Sequence, residues 1–253
     1  MLITGGAGGM GAAMAHRFAT SGARVAIVDL KPETVTDTSD RLRAEGLDVI
    51  GVPADTTDEE SMAAAVAETV DRFGSLYGLV TAAGIRQTAA GFTEIDLDLW
   101  RTIMEVNVTG TLVAIRAATA ELIAAKGAIV TVASVTAGAA RMNQSAYATS
   151  KAAVLHLSKQ IALELAVKGV RVNCLCPGVT NTPMIEQAVR NDGPTVLEDK
   201  LKGSLAQFRP GIPLGRLAEP EEQAAAAEFL LSNDASFITG VGVFVDGGVS
   251  ILG

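Results

Sequence analysis

Aromatic side chains are scarce: Phe, Trp and Tyr make up 4% of the 253 residues, with one tryptophan and two tyrosines. Ala, Val, Leu and Ile must therefore fill the core of a chain that is 49% apolar. Cysteine is nearly absent. The two thiols, Cys174 and Cys176, alternate within VRVNCLCPG. That spacing puts both on one face of a strand, where a disulfide between them is geometrically unfavourable, so buried reduced thiols are expected. Positive charge is short, with 20 Lys and Arg against 28 Asp and Glu and a net charge of −8. No basic stripe is on offer to nucleic acid or to an anionic membrane. No uninterrupted run of about 18 apolar residues occurs, so no membrane-crossing helix is expected. The segment after Met1, LITGGAGG, has neither a basic n-region nor an apolar h-region of signal length, and a cytoplasmic protein is expected. His16 and His156 fall on separate predicted helices. No cluster of His, Cys and acids has metal-ligand spacing, and no metal is expected.

What is present is glycine and pattern. The chain has 26 glycines, a share of about 10% against the usual ~7%, which implies tight turns and close backbone approaches. The length allows one large α/β domain or two small ones, and charged residues at 19% are globular in proportion. Runs of strand length, rich in Val and Ile, occur at 24–30, 47–55, 76–84, 127–134, 170–178 and 242–248, with MLIT as a short first strand. Helical patterns alternate with them near 10–20, 33–45, 58–73, 97–125, 146–168 and 221–232. Continuous apolar strands alternating with helices predict a single-domain, doubly wound parallel sheet, a Rossmann-like α/β fold spanning 1–253 with helices on both faces. No linker or repeat interrupts it. Residues 179–220 break the rhythm with polar and turn residues among short helical pieces. They follow the carboxyl end of a strand, where open α/β sheets bind ligands, and are expected to form a substrate lid.

After the first strand comes TGGAGGMG, residues 4–11. Its glycines allow a tight turn, and the helix that follows points free N–H groups and the positive end of its dipole at an anion. Alone, the motif also fits a structural turn. The next strand ends in Asp29, 18 residues beyond Gly11, where a carboxylate can accept hydrogen bonds from both hydroxyls of an adenosine ribose. It would repel a 2′-phosphate, and no Arg or Lys lies in the loop to receive one. Lys31 is the one dissenting charge nearby. NAD is expected over NADP.

Tyr147 and Lys151, in SAYATSKAAV, stand at i and i+4 on a predicted helix and share a face. A nearby ammonium can lower a phenol from about 10 by roughly 1–3 units, giving an acid/base that works near neutral pH. The pair by itself fits a half-buried tyrosine with a solvated lysine better. Ser134 shifts the balance. It ends the strand AIVTVAS, 13 residues before Tyr147, where its hydroxyl could hold a substrate oxygen.

Gly5, Gly9 and Gly11, then Asn107 in NVTG, Ser134, YATSK and the terminal ITGVGVFVDGG, in this order and spacing, resemble the short-chain dehydrogenase/reductase family over essentially the whole chain. The resemblance implies that Tyr147 is the general acid/base and that Ser134 positions the substrate oxygen. Lys151 would tune the phenol and bind the nicotinamide ribose, and Asn107 would anchor a water in a relay through Lys151. It further implies a dinucleotide site built from Gly5, Gly9, Met10, Gly11, Asp29, Asp55, Thr56, Ala83, Gly84, Tyr147, Lys151, Pro177, Gly178, Val179 and Thr182. Asp55 would meet the adenine amino group, and Thr182 with the Val179 backbone the nicotinamide carboxamide. One departure stands out. The family usually has Asn-Ala-Ala-Gly after the fourth strand, and this chain has Thr81-Ala82-Ala83-Gly84. Thr81 can still hydrogen-bond, so altered packing is expected, with the cofactor retained.

The second half is similar, more narrowly, to 2,3-dihydro-2,3-dihydroxybenzoate dehydrogenases, through ARMNQSAYATSKAAV, PGVTNTPM and FRPGIPLGRLAEPEE. That implies oxidation of a cyclic diol bearing an acid. An anionic ring needs a cation, and Arg86, Arg141 and Arg209 are placed to supply one, although a solvated arginine is the commoner case for each singly. Met142, Gln144 and Met184 are candidates for the same pocket. A sugar, polyol or cyclic-ketone dehydrogenase and a 3-oxoacyl-carrier-protein reductase remain open; Asp29 and the acidic charge oppose the second. A dinucleotide-sensing scaffold would have no need of a tuned phenol. The Ala-rich helices near 112–125 and 152–167 have small apolar faces suited to close packing, and the resemblance implies a homotetramer.

Overall fold

The chain alternates strand and helix from its first residues, and the computed structural model describes residues 1–193 and 195–252. In chain order the elements are β1 (Leu2–Thr4), α1 (Gly9–Thr20), β2 (Val25–Asp29), α2 (Pro32–Ala44), β3 (Val49–Pro53), α3 (Glu59–Phe73), β4 (Gly78–Thr81), α4 (Leu97–Met104), α5 (Gly110–Ala125), β5 (Ala128–Val132), α6 (Ser145–Ala166), β6 (Arg171–Pro177), α7 (Pro183–Asp192), α8 (Thr195–Lys202), β7 (Gly203–Ser204), β8 (Arg209–Pro210), α9 (Pro220–Leu231) and β9 (Gly242–Val245). Seven strands form one sheet in the order β3-β2-β1-β4-β5-β6-β9, and every neighbouring pair is parallel. β7 and β8 form a separate antiparallel ladder.

The strands read as continuous apolar runs because both faces are covered. Successive side chains point to opposite faces. Leu2, Ala26, Val28, Leu79 and Ile129 pack with Met62, Ala114, Ala118 and Leu122 of α3 and α5. Their neighbours Ile3, Val25, Ile27, Val80 and Val130 pack with Met14, Phe18, Leu42 and Leu230 of α1, α2 and α9. β1 lies between β2 and β4, so the chain winds outward from it in both directions. The crevice at the carboxyl ends of β1 and β4 is the switch point at which such sheets bind ligands.

Local signals set the helix ends. Asp58 caps α3 by accepting from the Ser61 N–H at 2.7 Å, and Gly74 ends it in a left-handed conformation. Pro220 opens α9 behind a Glu219/Glu222 capping box. The predicted single helix over 97–125 is interrupted. Glu105–Thr109 forms a π-type turn, a local widening often found at functional sites. By length and mean hydropathy, Leu97–Ala125 is long and apolar enough to cross a membrane, contrary to the expectation from uninterrupted runs. Its Val113, Ala114, Ala118 and Leu122 nevertheless pack in the core against the sheet, and its centre holds the fully buried Asn107. Cys174 and Cys176 are free and buried. Thr81 departs from expectation too. Its hydroxyl is buried without a hydrogen-bond partner, because one short side chain in mid-sheet cannot reach across as an amide would.

Candidate active site

The glycine loop is built by close approach. A Cβ on Gly11 would stand 2.1 Å from the Gly5 carbonyl oxygen, and one on Gly5, at φ +65°, 2.6 Å from the Ala83 nitrogen. These glycines let α1 and the end of β4 close onto β1. At Gly8, by contrast, a Cβ would meet nothing within 4 Å. The N-terminus of α1 has no side-chain cap and no acid in its first turn, whereas α2, α3 and α9 all begin with glutamates. Uncapped N–H groups free of carboxylates are what a phosphate requires. Asp29, at the end of β2, holds the loop by accepting from Ala7 N at 3.3 Å and Leu30 N at 2.9 Å. Asp55 accepts the Thr57 N–H and hydroxyl, both at 2.8 Å. The Thr56 side chain is buried, and the position a Cβ would take on Gly110 lies 2.9 Å from its hydroxyl. Thr182 precedes α7 and lies 3.6 Å from the position a Cβ would take on Gly9, so the loop after β6 meets the loop after β1. The donors and the bare glycine cradle fit a dinucleotide.

Beneath this cradle lies a buried polar cluster. Lys151, 5% exposed, donates to the Val132 carbonyl at 3.0 Å, and its Nζ is 5.7 Å from the centre of the Tyr147 ring. Burial lowers its pKa to about 8. Asn107 is fixed by the π-turn. Its Oδ1 accepts from Ile85 N at 2.8 Å, and its Nδ2 donates to Ile85 O at 3.0 Å and to Ser150 Oγ at 2.9 Å. Those bonds tie Asn107 to Ser150 on α6; none runs directly to Lys151. Gly84 closes the gap, since a Cβ there would stand 3.1 Å from Asn107 Oδ1 and 3.3 Å from Lys151 Nζ.

Above lies a cavity of about 290 Å³ lined by Ser134, Tyr147, Met10, Pro177, Gly178, Val179 and Thr182, together with Arg86, Arg141, Met142, Gln144, Met184 and Arg209. It joins the residues expected to do chemistry with those expected to hold substrate. α7, α8 and the segment through Arg209 form its outer wall. Ser134 stands two residues beyond β5, where strand hydrogen bonding has ended, and its hydroxyl accepts from Thr136 N at 3.2 Å. It lines the same cavity as Tyr147 and acts to lower the phenol's pKa.

Two features correct the sequence reading. Burial raises the Tyr147 pKa above its ordinary value; Ser134 and the charge of Arg86 only oppose that rise. Arg86 is thus a second cation acting on the phenol, in addition to Lys151 over the ring. Gln87 went unread. It is 3% exposed, and its Oε1 accepts from Ala146 N at 2.8 Å and Tyr147 N at 3.2 Å. It caps α6 from another part of the chain, since Gln144 at the helix start makes no side-chain cap. Asn143 and Ser145 flank the helix start in the sequence and look like local caps, so no local signal pointed to Gln87.

The family model described as Enoyl-(Acyl carrier protein) reductase matches residues 5–250. A 2,5-dichloro-2,5-cyclohexadiene-1,4-diol dehydrogenase of Sphingobium indicum is 39% identical over 251 residues, covering 99% of this chain and 95% of the relative. A 2,3-dihydro-2,3-dihydroxybenzoate dehydrogenase of Bacillus subtilis is 36% identical over 250 residues, covering 98% and 95%. Among solved structures, the 3-ketoacyl-(acyl-carrier-protein) reductase of Brucella melitensis complexed with NADH superposes with a TM-score of 0.87 at 33% identity, covering 98% of this chain and 97% of that one.

Proposed function

The chain belongs to the short-chain dehydrogenase/reductase family and is an oxidoreductase that uses a nicotinamide dinucleotide; from that premise we propose that it oxidises a secondary alcohol on a ring, a cyclic diol carrying an acid such as 2,3-dihydro-2,3-dihydroxybenzoate, with NAD as acceptor. The observation that carries this reading is the Tyr147 phenol, which shares with Ser134 a cavity whose wall also bears Arg86 and Arg141. Relatives named for cyclohexadiene diol and dihydroxybenzoate substrates support the ring.

Bound NAD supplies the hydride acceptor. Ser134 holds the alcohol oxygen, and Tyr147 takes its proton as the C–H bond breaks and the carbonyl forms. Lys151, held by Val132, stabilises the phenolate and the adjoining ribose; Asn107 keeps α6 in register through Ser150. Asp29 accepts from the adenosine ribose hydroxyls and repels a 2′-phosphate, which selects NAD. Gly5, Gly9, Met10 and Gly11 would cradle the pyrophosphate. Asp55 and the Thr56 backbone would hold the adenine, Ala83 and Gly84 the ribose, and Pro177, Gly178, Val179 and Thr182 the nicotinamide. Met142, Gln144 and Met184 shape the ring pocket, and residues 179–220 act as its lid. Exposed Leu163 and Val167 on α6 and Phe237 and Phe244 around β9 are apolar surface for a homotetramer. The Brucella structure keeps a 3-oxoacyl reductase in view, but a chain of net charge −8 is ill matched to an acidic carrier.

The test is an assay of the parent with NAD or NADP against cyclic diol acids, neutral ring alcohols and polyols, followed by absorbance of the reduced nicotinamide. Turnover of the diol acid with NAD is expected. Preference for NADP, or for open-chain polyols, would remove the reading.

A further inference from the structure

The cavity wall is positive in an acidic protein. Arg86, Arg141, Lys200 and Arg209 line it with Asp199 as the one carboxylate among the described residues, although the chain as a whole carries −8. Two of these cations lack the bonds a guanidinium requires. Arg141, in the loop between β5 and α6, donates from Nη1 to the Ala140 carbonyl at 2.8 Å; its Nε and Nη2 are buried with no hydrogen-bond partner. Arg209 sits on β8 and lines the same cavity, and its Nε is likewise buried and unpartnered. Its position is fixed by a tight ladder. Ser204 pairs with Arg209, and a Cβ on Gly203, at φ +87°, would lie 2.7 Å from the Arg209 carbonyl.

A planar guanidinium offers five donors in a fixed fork, and leaving such donors buried and unmade is costly. Here two forks from different parts of the chain line the same wall as Ser134 and Tyr147. They also repel each other. Burial and then the charge of Arg141 bring Arg209 down to about 10, and only Asp246, whose oxygens are already engaged by Gly248 N and Ser250 N, offsets the burial of Arg141. Asp199 offsets part of the burial of Arg209, and the donors still unmade suit an anion with at least two oxygens.

We propose that Arg141 and Arg209 form a two-guanidinium clamp for an oxyanion head group, carboxylate or sulfonate, on the ring alcohol that Ser134 and Tyr147 receive. The inference rests on the reading that this cavity binds the alcohol, and it deepens that reading. The clamp makes the substrate's acid the main source of affinity. It also makes the anion a tether for the lid, because Arg209 belongs to the 179–220 segment and Arg141 to the loop between β5 and α6.

The test uses the NAD-loaded protein and ligands that cannot be oxidised: cyclohexanecarboxylate, cyclohexanesulfonate and the neutral cyclohexanecarboxamide. Binding is measured by calorimetry and by thermal midpoint. One of the acids is expected to bind the parent about 10–100-fold more tightly than the amide, the worth of one or two charge-assisted hydrogen bonds; which acid it is identifies the head group. Arg141→Gln and Arg209→Gln should each lower the acid-to-amide ratio about 10-fold or more. The double variant should fall short of their product, since both act on one group. Arg209→Lys, which keeps the charge and loses the fork, should recover part of the ratio and guards against misfolding. An acid-to-amide ratio unchanged in Arg209→Gln, or two losses that simply multiply, would overturn the clamp. A protein that binds acids through both arginines but oxidises no ring alcohol would keep the clamp and overturn the proposed reaction. Ring alcohols oxidised without any acid preference would do the reverse.

Discussion

Replacing Gln87 by methionine isolates the cap that sets Tyr147. The side chain keeps its length and loses its acceptor. Two bonds disappear, to Ala146 N at 2.8 Å and Tyr147 N at 3.2 Å, in a site where Gln87 is 3% exposed. Losing a helix cap costs about 0.5–2 kcal/mol, and a buried N–H left unmade costs about 1–3 kcal/mol. One offset exists. The Gln87 Nε2 is already buried without a partner, and its removal returns roughly 1 kcal/mol. The net loss is about 1–3 kcal/mol, which for a chain of this size lowers the melting midpoint by about 3–10 °C. The first turn of α6 carries the phenol, so kcat should fall about 10-fold or more, the usual consequence of a small misplacement near the chemistry. Gln87→Glu separates the two effects. It keeps the acceptor and so more of the midpoint, but it puts a negative charge beside a phenol whose pKa burial already raises. Its rate of oxidation should therefore need higher pH. Differential scanning calorimetry with steady-state kinetics on both variants is the assay. A Gln87→Met midpoint within about 1 °C of the parent, with kcat within about twofold, would refute the reasoning.

The other predictions concern charge and the glycine cradle. Arg86 helps to lower the Tyr147 pKa, and oxidation requires the phenolate, so Arg86→Gln should move the ascending limb of the pH–rate profile upward by up to about 1 unit; a limb that stays in place or moves down contradicts this. Gly11→Ala drives a Cβ to within 2.1 Å of the Gly5 carbonyl oxygen, so overpacking of about 1–3 kcal/mol should appear in paired melts as a drop of about 3–10 °C. Gly8→Ala meets nothing within 4 Å and should shift the midpoint by less than about 2 °C; equal drops in the two variants would contradict the close-approach account.

Continuous apolar runs and period-3.6 patterns made the sheet and its helices legible, because strands covered on both faces are apolar throughout. Leu2 and Ile3 already declare opposite faces, and the structure sends them to opposite layers. What the pattern could not reveal was contact between distant segments. The π-turn around Asn107 preserves a helical sequence, so 97–125 read as unbroken. Gln87 lies 59 residues before the N–H it caps, and no local spacing announces it. The i,i+4 pair of Tyr147 and Lys151 was visible, but its electrostatics depended on burial, which only the fold supplies. Burial raises the phenol's pKa and lowers that of Lys151 to about 8. The arginines could be named as cations; that Arg141 and Arg209 keep buried nitrogens without hydrogen-bond partners is a property of the fold.

The most direct test of the central claim is the single-turnover oxidation of a ring alcohol by Tyr147→Phe with NAD bound. The phenyl ring preserves packing and removes only the proton acceptor, so the chemical step should slow about 10²–10⁴-fold while dinucleotide affinity stays within a few-fold of the parent, about 1 kcal/mol or less. A chemical step as fast as the parent's would contradict the account.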